Sequence, residues 1–308
     1  MNTKTFNRYR ASEKIFFDEN HISPIEHLIE VKELSARIRV LEIGTGSPVL
    51  YIHGAPAAAA LWIPLVKNMQ GYRNLIIDRP GCGMSDKINY RGLTKERLQT
   101  IMLLTIDSVM DHFNLRQIPI IASSFGASLA FLYVFKRSER VSRLVIEGCP
   151  ALINGSHVPS FMRPMLLPVM KWIIPRLPAT ASIFNKIIVG LGHAYSLEHQ
   201  LIDRTLIQWY ISLFNNTDTQ INEISMITKA YPSGKIKSSF RITDAELEKI
   251  EQPALLLWSS NDPFGDIQTA QHLTSKIKNS TLICFENSGH LPWLDNPVRH
   301  AEEIKKFI

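Results

Sequence analysis

Cysteine is scarce. Cys82, Cys149 and Cys284 are the only three in 308 residues, and they stand far apart. Their odd number and wide separation exclude a disulfide framework and a paired metal-ligand spacing, and they point to a reducing compartment. Long apolar runs are missing too. The greasiest stretch, residues 161–177, is broken by Pro164, Pro168 and Pro175 and carries Arg163, Lys171 and Arg176, so neither a spanning helix nor stable membrane insertion is expected. The first twenty residues have no apolar core of the secretory kind, so the expected location is cytoplasmic. With 15 glycines and 17 prolines, a collagen-like or low-complexity chain is excluded. Lys and Arg (34) exceed Asp and Glu (28), giving +6, but they are scattered, with no basic stripe interleaved with aromatics. A nucleic-acid partner is therefore not expected.

What is there is a globular chain, 45% hydrophobic against 20% charged, long enough to bury a large core. Short β-rich apolar runs at 27–34, 37–44, 47–54, 74–80, 118–123, 143–148, 254–259 and 281–286 read as strands. Helical patterns separate most of them: 61–69, a long helix capped by Thr94, 127–137, 267–277 and 297–307. Alternation of strand and helix predicts an α/β fold with a mostly parallel sheet covered on both faces, and the close-set early strands predict an antiparallel edge. The rhythm stops between strand 143–148 and strand 254–259, over about a hundred residues. Residues 151–180 hold five prolines, and periodic stretches follow at 182–191, 197–214 and 219–230. Residues 151–240 are thus read as a helical cap inserted into a core formed by 1–150 and 241–308. The cap's 8 Lys and Arg less 4 Asp and Glu supply +4 of the net charge.

The strongest local signal is Ala122-Ser123-Ser124-Phe125-Gly126-Ala127, at the end of an apolar strand and the start of a helix. A serine on so sharp a turn needs small residues two positions before and two after. Ala122 and Gly126 satisfy this for Ser124; centring on Ser123 would put Ile121 and Phe125 in those slots. Serine is a weak nucleophile without a base beside it. His290, in Asn287-Ser288-Gly289-His290-Leu291-Pro292, follows the last strand and so belongs at the same sheet edge. His112, His193, His199, His272 and His300 sit in helical or cap patterns and read as packing residues. A carboxylate must then orient the imidazole. Asp262, after strand 254–259, is favoured, with Glu147 at the end of strand 143–148 as the alternative. An oxyanion needs two backbone donors: the amide of Phe125 heads the helix, and the amide of Ala55 lies in His53-Gly54-Ala55-Pro56, where His53 more readily holds the loop than moves protons.

Together these segments resemble the α/β-hydrolase fold superfamily, in its capped, esterase-like serine hydrolase form. His53-Gly54-Ala55-Pro56 is similar to the family's oxyanion loop, and Asp78-Arg79-Pro80-Gly81-Cys82-Gly83-Met84-Ser85-Asp86 to its D-x-x-G-x-G-x-S turn. Ser124, Asp262 and His290 follow in the family's chain order. The resemblance covers about 26–150 and 243–308. One departure is Ala122, where the serine motif usually begins with Gly. The resemblance implies an eight-stranded sheet and neither metal nor organic cofactor. Dehalogenases and epoxide hydrolases of the family carry Asp as nucleophile, so Ser124 argues against both. Some dehalogenase-like members place their acid after the sixth strand, which keeps Glu147 open.

A cap would roof Ser124, with Phe161, Met162, Met165, Trp172, Phe184, Trp209, Tyr210 and Phe214 as its candidate inner face. His53, Trp172, Trp209 and Phe214 are the expected pocket residues. The expected activity is hydrolysis of small to medium, largely apolar carboxylic esters through an acyl-enzyme, by a monomer or homodimer. A carbon–carbon bond hydrolase or lactonase would use the same three residues, the former needing a carboxylate clamp such as Arg163 or Arg204. A non-catalytic binding protein on this scaffold would be expected to lack one of the three, and none is missing.

Overall fold

A computed structural model describes residues 3–167, 169–232 and 234–308, without the side chains of Thr3, Lys171, Trp172 and Pro175. Its centre is one eight-stranded sheet: β1 (Ile25–Val31), β2 (Ala36–Ile43), β3 (Ser47–Ile52), β4 (Tyr72–Ile77), β5 (Ile118–Ser123), β6 (Val141–Glu147), β7 (Ala254–Ser259) and β8 (Ser280–Phe285). The spatial order is β1-β2-β4-β3-β5-β6-β7-β8. β2 runs antiparallel to both of its neighbours, and every pair from β4–β3 to β7–β8 is parallel.

The apolar runs of the inner strands are unbroken because each strand is covered twice. Side chains alternate across the sheet. Leu50, Ile52, Ile120, Ala122, Leu144 and Ile146 join one core with the helices Lys95–His112 and Ser124–Arg137. Val49, Tyr51, Ile121, Val145, Leu255 and Leu257 join the other with Trp62, Trp293 and the helix Pro297–Phe307. The parallel strands end nearly level, with Ser123 opposite Glu147, Glu147 opposite Leu257 and Ser259 opposite Phe285. Loops leaving those carboxyl ends therefore share one edge, where such sheets present their sites.

Between β6 and β7 the described residues are helices and turns. Asp203 caps the helix Arg204–Asn216 by accepting from the Thr205 amide at 2.7 Å. The periodic stretch 197–214 is consequently shared by two helices, Ala194–Glu198 and Arg204–Asn216, with Gln200 at φ 54° in the break.

An N-terminal helix, Thr3–Glu19, was not expected. It packs on the helix Arg204–Asn216, with Phe16 stacked on Trp209 at 5.8 Å and the Trp209 indole donating to the Tyr9 hydroxyl. Its Glu13 is buried against Arg39, 2.5 Å away. The segment expected to belong to the core thus braces a helix that lies between β6 and β7.

Candidate active site

Ser124 heads its helix at φ 51°, the left-handed region that a non-glycine residue enters only under constraint. The tight packing behind it explains the small neighbours: a Cβ on Gly126 would lie 2.4 Å from the Ile52 carbonyl oxygen. Ala122, fully buried at the strand end, shows that the first small position tolerates a methyl group.

The turn aims Ser124 Oγ at His290. Oγ lies 2.8 Å from His290 Nε2, and His290 Nδ1 lies 2.9 Å from each carboxylate oxygen of Asp262. Asp262 is fixed in turn by the amides of Cys149 at 2.8 Å and Phe264 at 2.9 Å, and the Phe264 ring covers the imidazole at 4.0 Å. Hydroxyl, imidazole and carboxylate are therefore linked in series, all buried. Cys149 is no competing nucleophile, because burial and then the Asp262 charge push its thiol well up.

Glu147, the alternative acid, faces elsewhere. Its carboxylate lies 3.0 Å from His300 Nδ1, both groups fully buried. The side chain points to the opposite core, where Phe285 stacks on His300 at 3.8 Å. Ser123 is likewise set aside, since its Oγ accepts from the Gly54 amide at 3.0 Å. With Gly54 N–H engaged there, Ala55 carries the next amide of the loop 53–56.

That loop rests on a buried ion pair. Arg79 Nε donates to the His53 carbonyl at 2.9 Å and Nη2 to the Gly54 carbonyl at 2.8 Å, while its guanidinium lies 5.5 Å from the Phe125 ring centre. Glu223, from the helix Thr219–Ala230, closes on Arg79 at 2.5 Å. Tyr210 also donates from above, to the Pro56 carbonyl. His53 accepts the Arg79 amide on Nε2 at 3.1 Å and donates from Nδ1 to the Gly54 carbonyl at 2.7 Å. Burial and then the Arg79 charge hold its imidazole well below the ordinary value, in the neutral form this pattern requires.

A second histidine–carboxylate pair steadies the His290 loop. His193 Nδ1 meets Asp295 at 2.8 Å, and its Nε2 accepts the Leu291 amide at 3.2 Å. Asp295 also accepts from Ser196 Oγ and, at 2.9 Å, from the Gly289 amide. The His290 amide itself donates to the Leu191 carbonyl at 2.8 Å.

A cavity of about 240 Å³ opens on Ser124 and His290, and a smaller one of about 50 Å³ adjoins it. Phe161, Met162, Met165, Phe184, Tyr210 and Phe214 line the larger. Two expected pocket residues do not. Trp209 turns away to stack on Phe16, and the His53 ring is bonded to the Gly54 carbonyl and the Arg79 amide instead. The side chain of Trp172 lies outside the described residues. Arg163 and Arg204 line neither cavity, and Arg163 Nε donates to the Val158 carbonyl at 3.2 Å. Among the described residues no group of three or more His, Cys, Asp and Glu could hold a metal ion.

Motif reading missed the residues that hold the loops. Arg79 sits within a recognised turn, yet its partner Glu223 is over a hundred residues away, its one signal being an acid inside an apolar helical pattern. His193, read as a packing residue, braces the loop of His290.

Fold and site together define a hydrolase. The chain belongs to the alpha/beta hydrolase fold family, whose model matches residues 47–297. It is 24% identical over 284 residues, 90% of this chain and 91% of the relative, to a 2-hydroxy-6-oxononadienedioate/2-hydroxy-6-oxononatrienedioate hydrolase of Pseudomonas putida. Among solved structures it is similar to a carboxylesterase of Bacillus subtilis, with TM-score 0.74 and 18% identity over 99% of this chain and 98% of the other. It is similar too to a 2-hydroxy-6-oxo-6-phenylhexa-2,4-dienoate hydrolase of Rhodococcus, with TM-score 0.73 and 18% identity over 92% of this chain and 98% of the other. At these identities the structural likeness speaks for the fold alone.

Proposed function

We propose that the protein hydrolyses apolar carboxylic esters through an acyl-enzyme on Ser124, beneath a cap formed by residues 151–240. Ser124 Oγ attacks the ester carbonyl as its proton passes to His290 Nε2, and the C–O bond then breaks as that proton is returned to the leaving alcohol. Asp262 keeps Nδ1 protonated and steadies the imidazolium. The amides of Ala55 and Phe125 receive the oxyanion. Water, deprotonated by His290, then attacks the acyl group, and Ser124 leaves with the proton.

The observation that carries the choice of ester is the wall of the larger cavity. Its polar side chains are Ser124, Tyr210, Gln220 and His290, with no Lys or Arg among the described lining residues. A carboxylate substrate entering it would lose water without gaining a cation, at a cost of several kcal/mol. An uncharged ester incurs no such cost and is bound by exclusion of water. His290 borders only the larger cavity, so the leaving alcohol belongs there. The smaller cavity, lined by Phe125, Val158, Leu166 and Ile224 among others, would take a short acyl group.

The relatives' names favour a second reading, hydrolysis of a carbon–carbon bond in a dienol acid by the same three residues. One comparison separates the two. Turnover of p-nitrophenyl butyrate, lost in Ser124→Ala, with none of a 2-hydroxy-6-oxo-dienoate, supports the ester reading; the reverse preference refutes it.

A further inference from the structure

The mouth of the larger cavity belongs to two environments at once. Phe161, Leu177 and Ile183 line the cavity, yet they are 40%, 56% and 47% exposed. Leu167 and Val169, between two short helices, and Ile173, at the end of the second, are 55%, 64% and 43% exposed. Large apolar side chains concentrated in one exposed segment mark a surface made to be covered.

The charge of that segment identifies the cover. Between Glu147 and Glu198 the chain has no Asp or Glu, and its charged residues are Arg163, Lys171, Arg176 and Lys186. Arg163, Arg176 and Lys186 are exposed. Apolar side chains interspersed with cations, and with no acid among them, match the interface of an anionic bilayer, where hydrocarbon takes the former and headgroup phosphates the latter. A second copy of this segment would instead set like charges against each other.

We propose that residues 161–189 dock on anionic lipid surfaces, so that the cavity mouth opens towards the membrane and apolar substrate enters from lipid. Attachment is peripheral, since among the described residues no helix is long and apolar enough to cross a membrane. The route of entry rests on the ester reading, but docking does not, and binding is therefore measured apart from turnover.

The test is co-sedimentation of the full chain with vesicles of phosphatidylcholine alone or mixed with phosphatidylglycerol, alongside turnover of water-soluble p-nitrophenyl butyrate. The mixed vesicles are expected to bind at least about tenfold more tightly, with the preference shrinking as salt is raised. Leu167→Asp with Val169→Asp, neither a cavity residue, should lower binding about tenfold or more, and Lys186→Glu by several-fold, with butyrate turnover unchanged. Vesicle binding that is absent, indifferent to phosphatidylglycerol, or equal in these variants would overturn docking. So would self-association through this face, seen as a dimer that the double variant abolishes while vesicles remain unbound. Loss of butyrate turnover in the unaltered chain, with vesicle binding intact, would count against the ester reading alone.

Discussion

The two sides of Ser124 are built differently. On one side stand His290 and Asp262, on loops leaving the neighbouring strands β8 and β7, with hydrogen bonds of 2.8 and 2.9 Å linking them to Ser124. On the other stands the loop 53–56, held by the Arg79 guanidinium, which is buried together with a carboxylate from a distant part of the chain, Glu223. The first side is made by strand order, which places successive loops side by side. The second leans on long-range contacts, the Arg79–Glu223 ion pair and the Tyr210 bond to the Pro56 carbonyl, so it depends on the helices between β6 and β7 being in place. In such a site the loop 53–56 can shift while Ser124, His290 and Asp262 keep their hydrogen bonds.

The largest expected effect breaks the first side. Asp262→Asn should lower kcat on p-nitrophenyl butyrate by about 10⁴-fold, because the imidazole loses its tautomer and its counter-charge. Glu147→Gln should stay within about threefold in kcat, since Glu147 faces His300 instead. A larger loss in the second variant would reverse the assignment of the acid.

Next comes the other side. Glu223→Ala strands the Arg79 charge in the interior, and urea denaturation should show a loss of about 3–5 kcal/mol. Glu223→Gln, which keeps a hydrogen-bond acceptor, should lose less. In both, kcat should fall more than KM rises, because oxyanion donors act chiefly on the transition state. His193→Ala is smaller still. It deprives the Leu291 amide of its acceptor, a loss of about 1–3 kcal/mol of stability, and loosens the His290 loop.

This contrast also sets what could be read from the sequence. Strands β5 and β7 were legible to the residue because both-face burial leaves unbroken apolar runs, and the meeting of Ser124, Asp262 and His290 could be expected because each lies in a short motif just after a strand. Partners that meet only in three dimensions were not. Glu223 and Arg79 share no local pattern, nor do His193 and Asp295. Trp209 was counted with the large side chains of a cap's inner face, but the face it occupies is covered by the N-terminal helix, and nothing in residues 3–19 announced that partner. The break between residues 198 and 204 escaped a reading of hydrophobic period, which an aspartate cap overrides.

The smallest expected effect concerns pH. His53 is held neutral, its imidazole well below the ordinary value of 6.5, by burial and by Arg79. Below that ordinary value the unfolded chain binds a proton that the folded chain refuses, so stability is lost as pH falls. The urea midpoint should therefore drop more steeply between about pH 7 and about pH 5 in the unaltered protein than in His53→Gln. Equal slopes would mean that His53 accepts its proton in the folded state.

The most direct measurement is the intact mass of the protein after reaction with a fluorophosphonate, followed by peptide mapping. One adduct, on Ser124, absent from Ser124→Ala and much slowed in His290→Ala, is the predicted result. An unmodified protein, or an adduct on another residue that persists in Ser124→Ala, would contradict the assignment of Ser124 as the nucleophile.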